Sequence, residues 1–228
     1  MPKTQIPRSR KTRSTRPKRK LHKFEELANK ASKLPLEELQ DIFNEYLPAP
    51  NTTEGIEQEA KRTWSFIGGS TLKSTPELKD KVWALFEDNM RDMYIAADDP
   101  DIPWDPTEKR KELYHKNARF VLVQKDSTLE AFCSFRFEAE ENIDGEMQFL
   151  MYIYEIQVAQ GCRGTGLCRR ILTALEGMCA ELDVQVMMLT CFKCNTKALP
   201  VYVRLGFQEV EGDSETAQEF CKPVARSE

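Results

Sequence analysis

A turn with three glycines near the middle of the chain restricts the fold more than any other feature. Residues 147–159 are rich in aromatic and branched apolar side chains and predict a strand, whereas residues 167–182 repeat apolar positions at three- and four-residue steps and predict a helix. Gly161, Gly164 and Gly166 lie between them. A strand that enters a helix through such a turn leaves the first helical N–H groups free to bind an anion such as phosphate.

Two familiar phosphate-binding motifs do not match this turn. The spacing Gly-x-x-Gly-x-Gly differs from the dinucleotide fingerprint, and the strand arrives after a hairpin meander instead of opening a βαβ unit. A nucleotide-binding P-loop is excluded because no Gly-Lys-Ser/Thr follows. The turn alone therefore predicts an anion site without identifying its ligand.

The remaining pattern predicts one α/β domain in which helices come first, antiparallel strands follow, and a β-α-β-α-β segment closes the chain. An amphipathic helical segment runs from residue 24 to 46 with a break near Pro35, and a Pro-rich linker follows it. A helix begins at Thr75-Pro76-Glu77, and residues 98–106 are expected to form an irregular loop. The other predicted elements are strands at 57–67, 119–125, 129–139, 147–159 and 184–192, helices at 167–182 and 195–205, and a strand beginning at 207.

The charge is divided unevenly along the chain. The net charge is only −4, but residues 1–23 hold ten of the 33 lysines and arginines and no acid, which leaves 23 basic against 37 acidic residues in 24–228. A basic arm (+10) thus precedes an acidic body (−14), and this asymmetry suggests cationic or anionic partners for the two parts. The arm is too charged and Pro-rich to bury a core, so we expect it to be disordered.

Composition also limits the compartment and the cofactors. No apolar stretch approaches the roughly 18 to 20 residues of a membrane span, and no apolar segment follows the basic N-terminus as in a secretory signal. Seven cysteines, an odd number, fit a reducing compartment, so cytosol or nucleus is expected. We expect no metal site, because the Cys191-x-x-Cys194 pair lacks a second pair of ligands.

The glycine turn resembles the pyrophosphate loop of the GNAT superfamily of acetyltransferases, Gln/Arg-x-x-Gly-x-Gly/Ala. Arg163 and Gly166 match this motif, while Cys168 occupies the final Gly/Ala position. The downstream order is also similar, with a buried strand, Asn195, a helix that carries Tyr202, and Leu205-Gly-Phe207. The resemblance implies the GNAT acyl-CoA N-acyltransferase fold, a mixed central sheet with flanking helices and here an N-terminal helical segment, with acetyl-CoA as co-substrate and no metal.

Further motifs over roughly residues 40–212 resemble the NatD family, the N-alpha-acetyltransferases of histone H4 and histone 2A. They are, in order, Met93-Tyr94, the Trp104 loop, Phe135-Arg-Phe-Glu138-x-Glu140, Tyr152-x-Tyr154-Glu155-x-Gln157 and Leu189-Thr-x-Phe-Lys-x-Asn195. This resemblance implies acetyl transfer to the α-amine of a Ser-Gly-Arg-Gly-Lys N-terminus through a direct ternary complex. The implied division is a basic arm (1–23), a helical segment (24–50) and the acetyltransferase domain (51–228).

The resemblance assigns roles to individual residues. Glu155 is the expected general base, because an α-amine of pKa about 7.7 to 8.0 must lose a proton before it attacks; an exposed strand glutamate is the alternative. Tyr154 is expected to orient reactants, and Tyr202 to hydrogen-bond the departing thiolate, with core packing as the alternative for both. The expected acetyl-CoA contacts are Ile156, Gln157, Val158, Arg163, Gly164, Thr165, Gly166, Leu167, Cys168 and Asn195, and Arg169 or Arg170 is a candidate to neutralise phosphate.

Substrate selection is expected to use charge and a narrow pocket. Glu138 and Glu140 match the acidic pair of the NatD family and are candidate partners for the substrate Arg and Lys; solvated surface glutamates are the alternative. Tyr94, Trp104, Tyr152 and Thr190 are expected to wall the pocket and bind the peptide.

The basic arm is interpreted as a nuclear localisation signal, a contact with nucleosome or nucleic acid, or a solvated tail. We expect the protein in nucleus and cytoplasm. Two other functions remain open, a lysine side-chain or polyamine acetyltransferase and a non-catalytic nucleic-acid-binding module with a degenerate acyl-CoA site.

Overall fold

A mixed β-sheet forms the centre of the molecule, with helices on both faces. The computed structural model describes residues 22–50, 57, 59–142, 144–212 and 214–225, so that most of the predicted basic arm and residues 51–56 of the linker region lie outside the described residues. Within these ranges the sheet has seven strands in the order β1-β2-β3-β4-β5-β7-β6. All neighbours are antiparallel except β4 and β5, which run parallel, so the predicted α/β class with a mixed sheet is confirmed.

The predicted elements occur in the predicted order, and the helices at 69–73 and 106–113 and the strand at 217–223 are additional. The helices are α1 (Lys23–Ala31), α2 (Leu36–Tyr46), α3 (Gly69–Lys73), α4 (Pro76–Ala97), α5 (Pro106–Leu113), α6 (Leu167–Glu181) and α7 (Leu199–Arg204), with a 3-10 turn at Gln160–Cys162. The strands are β1 (Arg62–Gly68), β2 (Arg119–Lys125), β3 (Thr128–Glu141), β4 (Met147–Val158), β5 (Val186–Phe192), β6 (Gln208–Glu209) and β7 (Ala217–Pro223). None of the described helices has the length and apolar character needed to cross a membrane.

Two hydrophobic clusters lie on opposite faces of the sheet. The first packs α1, α2 and α6 against the sheet and includes the buried Phe43, Phe135 and Leu175. The second packs α4 and α5 and includes Phe86 and Phe120. The periodicity of α6 was predicted correctly, because its expected core positions are all buried: Leu167, Ile171, Leu172, Leu175, Met178 and Cys179.

A β-bulge in β4 changes the face to which its side chains point. Ser134 pairs with Glu155 and the next residue, Phe135, pairs with Ile153, so Tyr154 is the extra residue on β4. Because of this insertion Ile153 and Ile156 both pack on the first cluster although they are three residues apart. Glu155 consequently lies on the α4–α5 side of the sheet, where it contacts Lys109 of α5.

Some predicted boundaries are wrong for identifiable reasons. Residues 98–106 are not wholly irregular, because Pro106 begins a helix that Asp105 caps. The last helix begins at Leu199 and not at Asn195, since Asn195 lies in a turn that its own N–H closes onto Phe192 O (2.9 Å). The expected strand at 57–67 begins only at Arg62.

A buried arginine connects the segment before β1 to α6. Arg170 is 4% exposed; its Nη1 and Nη2 donate to the Glu59 carboxylate at 2.7 and 2.9 Å, and its Nε donates to Pro48 O at 2.7 Å. Its guanidinium also lies 4.8 Å from the Trp64 ring centroid. This bidentate pair is a strong, geometrically specific contact and holds the start of the sheet beside the N-terminal half of α6.

Helices α2 and α6 approach closely at Gly177, which generates a stability prediction. A Cβ at Gly177 would lie 2.1 Å from Tyr46 Cγ, so we expect Gly177→Ala to lower the free energy of unfolding by about 1 to 3 kcal/mol through overpacking. Chemical denaturation monitored by circular dichroism measures this. Gly161→Ala is the matched control, because its Cβ meets nothing within 4 Å, and it should change stability by less than about 0.5 kcal/mol. Equal effects of the two substitutions would contradict the close helix contact.

Candidate active site

The two central parallel strands part in the middle of the sheet and open a cavity. β4 and β5 pair from Leu150–Val186 to Ile153–Leu189, after which β5 stays paired with β7 while β4 stays paired with β3. The edge of β4 beyond Ile153 is therefore unpaired on the β5 side. A cavity of about 1010 Å³ lies at this divergence, which is large enough for an extended ligand.

Most residues predicted for the site line this one cavity. The expected acetyl-CoA contacts on its wall are Ile156, Gln157, Val158, Arg163, Gly164, Gly166, Leu167, Cys168 and Asn195, and the expected catalytic and substrate residues there are Tyr94, Glu138, Glu140, Tyr152, Tyr154, Glu155, Thr190 and Tyr202. Thr165 and Trp104 do not line it. The Thr165 hydroxyl instead donates to Cys162 O at 2.7 Å and closes the glycine turn.

Glu155 is a buried carboxylate at the cavity wall. It is 7% exposed; its Oε1 lies 3.1 Å from Lys109 Nζ, and its Oε2 accepts a hydrogen bond from Gln157 Nε2 at 2.8 Å. Burial raises the pKa of Glu155, against the lowering effects of the Lys109 charge and the Gln157 hydrogen bond. A carboxyl group that faces a cavity and has a raised pKa is a stronger proton acceptor when ionised, so Glu155 is a candidate general base. The alternative of an exposed strand glutamate does not describe Glu155.

Lys109 contacts Glu155 from α5 and was not among the residues predicted from the sequence. Its ammonium also lies 2.8 Å from Glu112 Oε2 and above the Phe86 and Tyr94 rings, 5.6 and 5.5 Å from their centroids. The overlooked signal was Asp105-Pro106-x-Glu108, which is typical of a helix N-terminus. The Asp105 side chain does accept from the N–H groups of Thr107 (2.8 Å) and Glu108 (3.1 Å).

Two tyrosines of β4 connect Glu155 to the acidic part of the cavity. Tyr154 donates its hydroxyl to Glu138 Oε1 at 2.9 Å, and its ring lies 3.9 Å from the guanidinium of Arg136. The Tyr152 hydroxyl is 2.6 Å from Thr190 Oγ1, and the two tyrosine rings are 4.9 Å apart. These contacts form a polar wall that leads away from Glu155.

Glu138 and Glu140 stand on one face of β3, as their spacing predicted. Burial and the charge and hydrogen bonding of Glu138 raise the pKa of Glu140. Two neighbouring carboxylates repel each other, and a bound cation relieves the repulsion. The pair is thus suited to a cationic ligand.

The glycine turn leaves the N-terminus of α6 open to the cavity. Gly164 and Gly166 have φ of +81° and +87°, the left-handed conformation that favours glycine. The first bond of the helical ladder runs from Arg170 N–H to Gly166 O at 3.0 Å, so the N–H groups of residues 167–169 precede the ladder. This arrangement can bind a phosphate through backbone groups and the helix dipole.

The arginines near this turn are engaged differently. Arg163 lines the cavity but donates to Asn89 Oδ1 (2.5 Å) and Val158 O (3.3 Å), which connects the turn to α4. Arg170 is committed to Glu59, whereas Arg169 lines the cavity. Of the two arginines considered for phosphate, the geometry favours Arg169.

Trp104 packs behind the cavity wall instead of forming part of it. Its ring is stacked with those of Trp83 and Phe86, each centroid 6.1 Å away, and lies 5.4 Å from the Tyr94 ring. Asp99 holds the same loop by accepting from the N–H groups of Asp101 (2.8 Å) and Ile102 (3.0 Å) and from the Thr216 hydroxyl. Trp104 therefore supports Tyr94 and does not line the cavity itself.

Tyr202 reaches the cavity from α7 and is almost fully buried. Its ring packs 6.1 Å from that of Phe207 and 5.7 Å from that of Phe220. Burial raises its pKa, so the hydroxyl keeps its proton and can donate a hydrogen bond to a developing thiolate. Packing and a polar role are compatible here, because the same residue belongs to the core cluster and to the cavity wall.

The thiols on the cavity wall are poor nucleophiles. Burial raises the pKa of both Cys168 and Cys191 to about 12. Cys194, the other member of the Cys-x-x-Cys pair, is exposed, and its Sγ lies 3.7 Å from Met93 O. Among the described residues no group of three or more His, Cys, Asp or Glu side chains is arranged to hold a metal ion.

Comparison with protein families agrees with this geometry. Residues 80–207, more than half of the chain, match the sequence model of the acetyltransferase (GNAT) family. The chain belongs to the GNAT family of acetyltransferases. The family uses acetyl-CoA, and the expected GNAT fold is confirmed.

Solved structures of low sequence identity have a similar fold. A GNAT-family acetyltransferase from Staphylococcus aureus Mu50 is 10% identical with a TM-score of 0.53, and the match covers 72% of this chain and all of that one. The PaiA N-acetyltransferase of Thermoplasma acidophilum, solved with coenzyme A, is 12% identical with a TM-score of 0.51 over 71% of this chain and 99% of that one. A putative GNAT acetyltransferase from Desulfovibrio desulfuricans is 14% identical with a TM-score of 0.50 over 72% and 100%.

The thiol environments predict selective alkylation. At pH 8 a thiol of pKa about 12 is ionised in roughly one molecule in 10⁴, so we expect iodoacetamide to modify exposed Cys194 at least about 100-fold faster than Cys168. A time course followed by peptide mass spectrometry measures both rates. In denaturant the two rates should converge. Equal rates in the native protein would show that Cys168 is not in the environment described.

Proposed function

We propose that this acetyltransferase transfers the acetyl group of acetyl-CoA to the α-amine of the N-terminal serine of histone H4 and histone 2A, as the NatD family does. The observation that carries the proposal is that buried Glu155 and the acidic pair Glu138 and Glu140 share one cavity. Tyr154 adjoins Glu155 in the chain and hydrogen-bonds Glu138, so the two regions are directly connected. A peptide with an N-terminal amine followed closely by Arg and Lys has matching charges.

The acetyl-CoA end of the cavity is proposed at the glycine turn. The open N-terminus of α6 and Arg169 suit the pyrophosphate, and the unpaired edge of β4 at residues 156–158 suits the amide groups of the pantetheine arm. The Val158 carbonyl is already engaged, because it accepts hydrogen bonds from Asn89 and Arg163.

Two of the cavity residues, Glu155 and Tyr202, have proposed roles in the reaction. Glu155 accepts a proton from the α-ammonium, directly or through water, which leaves the nitrogen lone pair free to attack. Acetyl-CoA supplies the thioester, so a C–N bond forms and the C–S bond breaks. The sulfur leaves as thiolate and takes up the second proton that the nitrogen loses as the amide forms, so that CoA is released as a thiol. Tyr202 is suited to donate a hydrogen bond to that sulfur, because burial keeps its hydroxyl protonated.

Direct transfer without an acyl-enzyme is proposed because the cavity offers no activated nucleophile among its described residues. Cys168 and Cys191 have pKa values of about 12 and are neutral thiols at pH 7, and burial also raises the pKa of Cys162, the third thiol on the wall. The histidines, His22 and His115, do not line the cavity and cannot activate them as a base.

The basic arm is proposed to bring the enzyme to the nucleus or to chromatin, with a cytoplasmic fraction. Its charge is opposite to that of the acidic body, and lysine- and arginine-rich segments are common in nuclear import signals and bind phosphate in a salt-dependent manner. The division into an arm (1–23), a helical segment (24–50) and a catalytic domain (51–228) belongs to the same proposal.

A peptide assay tests the proposed reaction. We expect acetyl-CoA-dependent CoA release with a Ser-Gly-Arg-Gly-Lys peptide and none with the same peptide blocked at its N-terminus. Glu155→Gln should lower kcat by about 10²- to 10⁴-fold, because the amine loses its proton acceptor, with little change in acetyl-CoA affinity. Turnover of the blocked peptide would favour a lysine or polyamine acetyltransferase, and no turnover of any amine at saturating acetyl-CoA would favour the non-catalytic nucleic-acid-binding alternative.

The acidic pair predicts a separate effect on substrate affinity. Glu138→Ala should raise the peptide KM about tenfold, the equivalent of about 1.4 kcal/mol, with a smaller effect on kcat. Glu141→Ala is the matched control, since it removes the same charge from the end of the same strand and Glu141 does not line the cavity. A lower kcat at unchanged KM in Glu138→Ala would mean that Glu138 acts in the chemistry and not in binding.

A further inference from the structure

Lys109 stands between two carboxylates in an otherwise aromatic environment. Its side chain is 13% exposed, and Nζ lies 3.1 Å from Glu155 and 2.8 Å from Glu112. The Glu112 side chain is 40% exposed, so the trio extends from the buried cavity wall towards solvent. Core packing alone does not explain these charged contacts, because an aliphatic side chain at position 109 could pack equally well against the rings of Phe86 and Tyr94.

We propose that Lys109 is a positioning residue that keeps buried Glu155 ionised and fixes one of its oxygens, so that the carboxylate remains a base for the incoming amine. The inference rests on the proposed function for its catalytic meaning. Lys109 comes from α5, a different element from Glu155, and its placement therefore depends on the helix that Asp105 caps.

Burial makes a counter-charge necessary at Glu155. An almost inaccessible carboxylate loses most of its hydration, which favours the neutral acid unless a cation compensates. The Lys109 ammonium is in direct contact with Oε1, while Gln157 holds Oε2, so both oxygens have a fixed direction. A second lone pair on each oxygen remains for water or substrate.

Lys109 itself keeps its charge. Burial alone would lower the pKa of its ammonium, but the charge of Glu155 and the charge and hydrogen bond of Glu112 outweigh burial and hold the pKa above its ordinary range. The cation is therefore constant over the pH range in which an α-amine titrates.

Other titratable groups that interact electrostatically with Glu155 remain neutral in that range. The phenols of Tyr94 on α4 and Tyr202 on α7 have raised pKa values, chiefly through burial. The thiol of Cys133 on β3 also has a raised pKa for the same reason. The pKa of Glu155 is thus set mainly by burial, which raises it, and by Lys109 and the Gln157 hydrogen bond, which lower it, while the charge of Glu112 raises it.

Glu112 serves as a second counter-ion for Lys109 during a turnover. With all three groups ionised the trio carries one net negative charge and attracts a cationic amine. When the amine's N–H bond breaks and Glu155 gains the proton, Lys109 still has Glu112 as its counter-ion at 2.8 Å. Neither protonation state of Glu155 leaves an unpaired buried charge, which is the costly situation.

The decisive measurement is the titration of Glu155 by carboxyl-carbon NMR on protein labelled at glutamate, with Glu155→Gln used to assign its resonance. In Lys109→Met we expect the Glu155 midpoint to move to higher pH by at least about one unit, the usual effect of losing an adjacent opposite charge. Lys109→Arg keeps the charge, so its Glu155 midpoint should lie close to that of the unsubstituted protein. Glu112→Gln should move the midpoint in the opposite direction, to lower pH.

The kinetic counterpart follows with a definite sign. Glu155 must be ionised to act, so in Lys109→Met the acidic limb of the pH profile of kcat/KM should move to higher pH by the same amount as the NMR midpoint, and activity should recover as the pH rises. A purely structural role would lower activity equally at all pH values. Thermal melts and amide NMR spectra check that each variant is folded, and Lys109→Arg provides the test if Lys109→Met does not fold.

The outcomes separate this inference from the proposed function, because the NMR titration needs no substrate. Two results would overturn the inference whatever the peptide assay shows. One is an unchanged Glu155 midpoint in Lys109→Met. The other is loss of Glu155 ionisation in a folded Lys109→Arg, which retains the charge. A shifted midpoint in a protein that acetylates no amine supports Lys109's control of Glu155 and refutes the proposed function.

Discussion

The parting of β4 from β5 after four residue pairs is the constraint on which the rest of the structure depends. Parallel strands that stayed paired to their ends would bury the edge of β4 and close the cavity. Here β7 keeps β5 in the sheet while β3 keeps β4, so backbone groups of β4 are open to a ligand without loss of the sheet. The glycine turn then follows directly at the end of β4 and brings the N-terminus of α6 to the same opening. The cavity thus has a backbone-lined end for an anion and a side-chain-lined end for a base.

The carboxylates of that cavity differ in their burial and in their electrostatic partners. Glu155 is nearly inaccessible, and its two carboxylate oxygens contact Lys109 and Gln157, so it has fixed partners. Glu138 and Glu140 are less buried and close enough to affect each other, which suits them to a cation that arrives and leaves. Tyr154 spans the two regions through its hydroxyl. Acids of the same chemical type therefore have different capacities because their burial and partners differ.

Much of the fold was predictable from local pattern, and the failures have physical causes. The α6 helix, the hairpin of β2 and β3 and the long β4 strand were predicted because their apolar periodicities are strong. The hairpin turn places Asp126 and Ser127 at φ of +48° and +66°, as a two-residue turn requires. Helix α5 was missed because its eight residues are mostly charged and lack an apolar stripe, although Asp105 and Pro106 mark its start. The resemblance placed Trp104 on the cavity wall, but it packs against the rings of Trp83, Phe86 and Tyr94, which are distant from it in sequence, and does not line the cavity.

The sequence by itself determined the order of elements, the anion-binding turn and the residue types that a resemblance could assign to a site, since these depend on periodicity and on short local motifs. Only the tertiary structure decided how the side chains meet. The extra residue at Tyr154 turns Glu155 towards α5, and α5 in turn brings Lys109 to it from 46 positions earlier in the chain. Such a contact depends on sheet register and helix packing, in which one inserted residue reverses the face of every side chain that follows.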